Sequence, residues 1–266
     1  MTTHTHSATN PWISRQALSS WQGFGLLTWK SFLKLVLNPA MFAFALILPI
    51  FMYMMFGAGQ EYSKEWAINA NIGATVLVSM TLYGVMIAAA SAATVVALER
   101  TSGISRLFAL SPVGSGAFIF SRLIAAISMS ALVIVITYTF GYATGARMTP
   151  EAWVESGLIT LAASVISAAL GLALAFLMRS DTAFAVINGV VVLGAFLAGM
   201  FIPIESMGSI FKTLAPYSPF YGLFNLSQLP LYGFDNFEWK WVISTVAWLV
   251  PMALLAIWAQ RRDTDR

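Results

Sequence analysis

Side chains able to do acid-base, metal or nucleophilic chemistry are scarce in this sequence. The two histidines, His4 and His6, sit in the polar tail "MTTHTHSATN", and one HTH triplet does not make a metal site. There is no cysteine, which excludes disulfides and thiolate metal ligation. A serine nucleophile in the apolar segments would have no histidine within reach as its base. No GxxxxGK[ST] loop occurs, so any use of ATP must come from another chain. The chain is therefore expected not to be an enzyme and to hold no cofactor or metal. One stretch stands out, "ERTSGISRLFALSP", Glu99 to Pro112, which follows 33 residues (Trp66 to Leu98) without an Asp, Glu, Lys or Arg. Past Gly103, a short helix ending at Pro112 would carry Ile104, Leu107, Phe108 and Leu110 on one apolar side. Exposed Leu and Phe suit a knob for a partner's groove; the alternative is a helix lying on a membrane.

The surroundings of that stretch follow from composition. Hydrophobic residues make up 59% of the 266 positions and charged residues 9%, against about 25% charged in soluble domains. Several uncharged runs exceed the roughly 18 residues that cross a bilayer as a helix. This is the composition of an all-α integral membrane protein. No acid or base sits in the middle of an apolar run. Such a group costs about 2.5–3.5 kcal/mol to insert and is retained for function, so a proton- or sodium-coupled carboxylate relay and a voltage sensor are disfavoured. The net charge of +3 collects at the ends of the runs and does not point to nucleic acid.

The elements read in order as follows. Residues 1–17 form a disordered tail without a cleavable signal. Residues 18–38 form an amphipathic interfacial helix, with Trp21 and Trp29 on one side and Lys30 and Lys34 on the other. Residues 39–266 form a domain of six spans, near 40–56, 72–98, 123–146, 156–178, 183–202 and 241–259. Pro49 is expected to kink the first, and Pro203 to break the fifth. Gly141 and Gly145 form a GxxxG in the third, which permits close helix contact. Residues 205–236 are apolar but carry Pro216, Pro219, Pro230, Gly222 and Gly233, and broken backbone is not tolerated against lipid. They are expected to form a re-entrant or surface helical hairpin on the outer side.

Ten basic residues fall on one side of this scheme (Arg15, Lys30, Lys34, Arg100, Arg106, Arg122, Arg179, Arg261, Arg262, Arg266). Four fall on the other (Lys64, Arg147, Lys212, Lys240). The positive-inside rule makes the first side cytoplasmic, with both termini and the Glu99–Pro112 stretch. In mid-membrane, Met80, Tyr83, Met86 and Phe184 are candidates for a greasy path, or else pack helix on helix. Asn188 needs a partner, a water or a ligand, with an interhelical hydrogen bond as the plain alternative.

The order of these features resembles the permease subunit of an ABC-2 type (type V) ABC exporter, as in bacterial drug and antibiotic efflux systems. Such permeases carry "ER..G....L...P" between spans two and three, matched by Glu99, Arg100, Gly103, Leu107 or Phe108, and Pro112. The segment "GMFIPIESMGSIFKTLAPYSPFYGLFNL" resembles their span-five ending and outer hairpin at Gly199, Pro203, Glu205, Met207, Pro216, Ser218 and Pro219. Gly208 departs from the proline frequent there. The resemblance implies a permease docked through a coupling helix, residues 103–112, on a separate ABC ATP-binding subunit present in two copies, where ATP and magnesium would bind. It implies a second copy or a homologous permease as partner, a substrate site between the copies near Tyr83, Met86 and Asn188, and an outer gate at Leu197, Met200 and Phe201. It also implies the cell's inner (plasma) membrane. Rival readings are polysaccharide or lipid-linked glycan export and a non-transporting ABC-linked sensor or scaffold.

Overall fold

The computed structural model describes residues 21, 23–101, 115–177 and 180–264. These form α1 (Phe24–Val36), α2 (Pro39–Phe56), α3 (Ile72–Thr101), α4 (Ser115–Ala143), α5 (Pro150–Leu177) and α6 (Ser180–Leu197). Two short helices, α7 (Ser209–Leu214) and α8 (Tyr221–Tyr232), precede α9 (Trp239–Thr264). Among the described residues there is no strand, only the isolated bridges Trp66–Asn71 and Ala70–Met148. Five helices, α2, α3, α4, α5 and α9, are long and apolar enough to cross a membrane, and α6 is a shorter apolar helix. The protein is an all-α membrane protein.

Helix α3 is the axis of the fold. Buried residues make up 89% of its apolar span, whereas in α9 only Trp241, Thr245 and Ala256 are buried among the described residues. Small residues explain how it is enclosed: Gly84 and Ala88 to Ala92 let neighbouring backbones come close, which is how helices pack where lipid gives no hydrophobic drive. At Gly171 of α5 a Cβ would lie 2.4 Å from the Ala90 carbonyl oxygen. At Gly84 a Cβ would lie 2.5 Å from the Ala45 oxygen of α2. Pro49 has no N–H to give that oxygen, and the turn around it, Ala43–Ile47, widens into a π helix. Beside Pro49, then, the helix carries a π turn whose Ala45 carbonyl rests on the glycine of α3.

Several buried hydroxyls find their partners within the helices. Ser79 donates to the Thr75 oxygen (2.9 Å), Thr81 to Leu77 (2.7 Å) and Thr137 to Val133 (2.8 Å), each back along its own helix. The Thr81 and Thr137 hydroxyls also lie 3.0 Å apart across the α3–α4 interface, so the single Thr81 proton is shared between the Leu77 oxygen and Thr137.

Caps, more than hydropathy, set the helix ends. Helix α5 begins at Pro150, before the apolar run at 156, because Pro fits the first helical position and Thr149 Oγ1 accepts from the Ala152 N–H. Helix α6 ends at Leu197, ahead of Pro203. Gly199 turns left-handed (φ 84°), the Met200 N–H reaches the Ala195 oxygen, and the Gly199 N–H reaches Phe196, the pattern of a Schellman cap. Gly141 accepts the Leu77 side chain of α3, but Gly145 lies past α4 with φ 105°, so the GxxxG is half a packing notch and half a terminator.

Two asparagines staple one end of the bundle. Asn71 accepts from the Ala74 and Arg147 N–H groups through Oδ1 and donates to the Gly145 oxygen, all within 3.0 Å. Asn69 donates side chain and backbone to the Pro230 and Leu231 oxygens at the end of α8, and its carbonyl accepts from Thr149 N–H. The starts of α3 and α5 and the ends of α4 and α8 are thereby joined.

Candidate functional site

The motif stretch divides at the limit of the described residues. Glu99 and Arg100 fall in the last turn of α3. Gly103, Leu107, Phe108 and Pro112 lie outside the described residues.

The mid-membrane candidates form two layers. Met80, Tyr83 and Met86 on α3 are buried inside the chain, Tyr83 at 2% exposure. They reach no surface of this chain. Phe184 and Asn188 on α6 are half-buried, at the border between the side of α6 packed on α3 and its open side. The packed side is Ala183, Ile187, Val191, Ala195 and Ala198; the open side includes Val186, Val192 and Leu193, the last 66% exposed. Phe184 meets Phe44 of α2 edge-on, with ring centroids 6.5 Å apart. The open side of α6 therefore continues onto Phe44, Ile47 and Phe51 of α2, all exposed.

Asn188 has partners in the protein. Its Oδ1 accepts from Ser91 Oγ of α3 at 3.1 Å, and its Nδ2 donates to the Phe184 oxygen at 2.7 Å. The interhelical hydrogen bond, the plain alternative for this amide, is what the structure contains. Ser91 was not among the sequence candidates. A serine in the "AAASAA" run of α3 is the signal that could have found it.

The gate candidates also meet α3. Phe201 packs on Tyr83 edge-on with centroids 5.0 Å apart, Met200 is buried, and Leu197 is half-buried on the last turn of α6. Tyr83 and Phe201, 118 positions apart in sequence, are the path and gate residues the fold brings into direct contact.

The segment after α6 folds back onto the bundle. Ser218 Oγ donates to the Gly194 oxygen (3.1 Å), and the Phe220 ring fills the notch that Gly194 leaves, where a Cβ would lie 2.5 Å from Cδ2. Further along, Gln228 on α8 donates its Nε2 to the Thr75 oxygen (3.1 Å) and to Ser79 Oγ (2.8 Å) of α3. Gln228 and Gly194 were missed in the sequence. An amide inside the apolar "NLSQLPLY" was the readable signal for Gln228; nothing distinguished Gly194 from its neighbours.

The chemistry offered by this region is apolar contact, ring edges and amide or hydroxyl hydrogen bonds. Among the described residues no cluster of three His, Asp or Glu could hold a metal ion.

The profile of the ABC-2 type transporter family matches residues 22–232. A Bacillus subtilis (strain 168) protein named as a candidate transport permease, YvfS, is 24% identical over 234 residues, covering 85% of this chain and 92% of its own.

Proposed function

The chain belongs to the ABC-2 type transporter family, and on that footing we propose that it is the membrane subunit of an ATP-driven exporter of amphipathic or hydrophobic, drug-like small molecules. The observation that carries this reading is α3. One continuous helix, Ile72–Thr101, leads from the motif stretch at Glu99 and Arg100 to the Tyr83–Phe201 contact, buried in the chain for most of its length. A rod enclosed in this way passes a push at one end to packing at the other.

In this reading both termini and residues 103–112 face the cytoplasm at the inner membrane, and residues 103–112 dock on an ATP-binding subunit present in two copies. That subunit binds ATP and magnesium. Helix α6 is the fifth of six spans: its 18 residues rise about 27 Å, a little short of the roughly 30 Å of hydrocarbon, and residues 198–202 complete it. Residues 205–236 form an outer re-entrant hairpin, in which Gly222 and Pro230 are buried against the bundle, Pro219 and Gly233 half-buried, and Pro216 exposed. A second permease copy faces the open side of α6 and α2. The substrate passes between the copies along that side, past Phe184 and Asn188. Met80, Tyr83 and Met86 stand one layer behind it, and Leu197, Met200 and Phe201 close its outer end.

The test is affinity purification in mild detergent with mass spectrometry of the co-purified proteins. A stoichiometric P-loop ATPase is expected. Changing Leu107 and Phe108 to Asp should release it while the permease still inserts, since each lost apolar anchor costs about 2 kcal/mol or more. Retention of the ATPase by that variant would refute the coupling assignment.

A further inference from the structure

We propose that residues 218–231, most of which lie in α8, are a crossbar that ties α3 to α6 so that the two helices shift together, with Gln228 as its positioning residue. The inference deepens the exporter reading and rests on it.

Residues 218–231 are fastened at both ends. At the start, Ser218 Oγ holds the Gly194 oxygen and the Phe220 ring, fully buried, sits in the Gly194 notch of α6. Ten residues on, Gln228, 7% exposed, binds α3 twice through one nitrogen. Asn69, just before α3, then takes the Pro230 and Leu231 oxygens. The bar is also pressed against α9: at Gly222 a Cβ would lie 2.2 Å from the Trp241 oxygen. This leaves the bar no slack against the bundle.

The orientation of the Gln228 amide is forced. Turning it over would set its oxygen against the Thr75 carbonyl, two acceptors face to face. Nε2 must face α3, and Oε1 is left without a hydrogen-bond partner in the fold. A buried acceptor left unpaired is unfavourable. An amide kept there despite that penalty is expected to serve the donor side, which is the grip on α3. Ser79 gives its own proton to the Thr75 oxygen and receives one from Gln228, so the contact is a closed ring of three groups. A displacement of α3 at Thr75 and Ser79 thus reaches Gly194, one turn from the end of α6, through covalent chain and two buried anchors.

The test uses the complete complex with its ATPase in lipid nanodiscs. The chain has no cysteine, so Ile202→Cys, on the exposed turn after α6, is a clean reporter for maleimide. Trapping with MgATP and vanadate should change its labelling rate about fivefold or more, the range of an ordinary coupling between sites. Adding Gln228→Leu should leave assembly and ATP hydrolysis in place and shrink that change to below about twofold. Leu is close in volume and removes the unpaired oxygen together with the donor, while Ser79 keeps its bond to Thr75, so the variant is expected to fold. Should it fail to assemble, Ser79→Ala, which removes one acceptor of Gln228 together with the Ser79 bond to Thr75, carries the same test in the same direction. A nucleotide response equal in both backgrounds overturns the crossbar and leaves the exporter reading standing. No nucleotide response in the parent overturns both.

Discussion

The close approach of α5 to α3 makes a quantitative prediction. A methyl added at Gly171 would sit 2.4 Å from the Ala90 oxygen and 2.8 Å from its Cα. Both are backbone atoms of the buried axis and cannot rotate aside. A carbon needs about 3.4 Å from a carbonyl oxygen, so α3 and α5 must part by about 1 Å. Overpacking of that kind costs about 1–3 kcal/mol. Against it stands the helix preference of Ala over Gly, about 1 kcal/mol.

Gly157, on the same helix, separates the two terms. A methyl there meets Tyr138 at 3.6 Å and Ile134 at 3.9 Å, which is ordinary contact. Gly157→Ala should therefore gain the preference without the clash and stabilise the protein by up to about 1 kcal/mol. Because both positions lie inside α5, the preference cancels in the comparison. The difference between Gly171→Ala and Gly157→Ala should be the steric part alone, about 1–3 kcal/mol. The assay is unfolding of the detergent-solubilised variants followed side by side by intrinsic fluorescence. Equal stability of the two would refute the claim that the α3–α5 interface is set by glycine contact.

Two further predictions concern polar groups. Asn71→Ala removes three side-chain hydrogen bonds at the stapled end. The Ala74 N–H keeps the Asn71 backbone oxygen, but the Arg147 N–H loses its acceptor, at about 1–3 kcal/mol; hydrogen exchange should speed up around Arg147, and unchanged protection there would count against the staple. For the Ser91–Asn188 pair, a double-mutant cycle of Ser91→Ala and Asn188→Val should give a coupling of about 0.6 kcal/mol, the usual size inside membranes; a coupling near zero would mean that the bond does not hold α6 to α3.

What could be read from the sequence was what depends on neighbours along the chain. Apolar runs gave the long helices, and Trp with Lys marked α1, whose Ser31 and Leu35 face is buried while Leu26, Trp29 and Lys30 stay exposed. Helix ends were less legible because hydropathy does not set them. Thr149 and Pro150 start α5, and Gly199 stops α6 before Pro203 can, since a left-handed residue satisfies the last carbonyls at once. The contacts that assemble the site were not legible. Gln228 meets Ser79 across 149 positions and Thr75 across 153, and no local pattern encodes a partner that distant. Asn188 announced a need for a partner; only the fold could supply Ser91.

The packing of α3 also constrains how a substrate could move. Tyr83 and Met86 are enclosed by chain on every side, so a path through the middle of one copy would require α3 to leave the Gly84 and Gly171 contacts, where backbone rests on backbone. Those contacts are the hardest in the bundle to open, because no rotamer change relieves them. Helix α6 differs: it packs on α3 by Ile187, Val191, Ala195 and Ala198, and its other side is open from Val186 to Leu193. A path along that open side needs no core contact to break, only a shift of the α3–α6 pair as a unit. In the exporter reading proposed above, the Gln228 and Gly194 anchors favour such a shift of the pair, and the Tyr83–Phe201 contact ties α3 to the residues that follow α6.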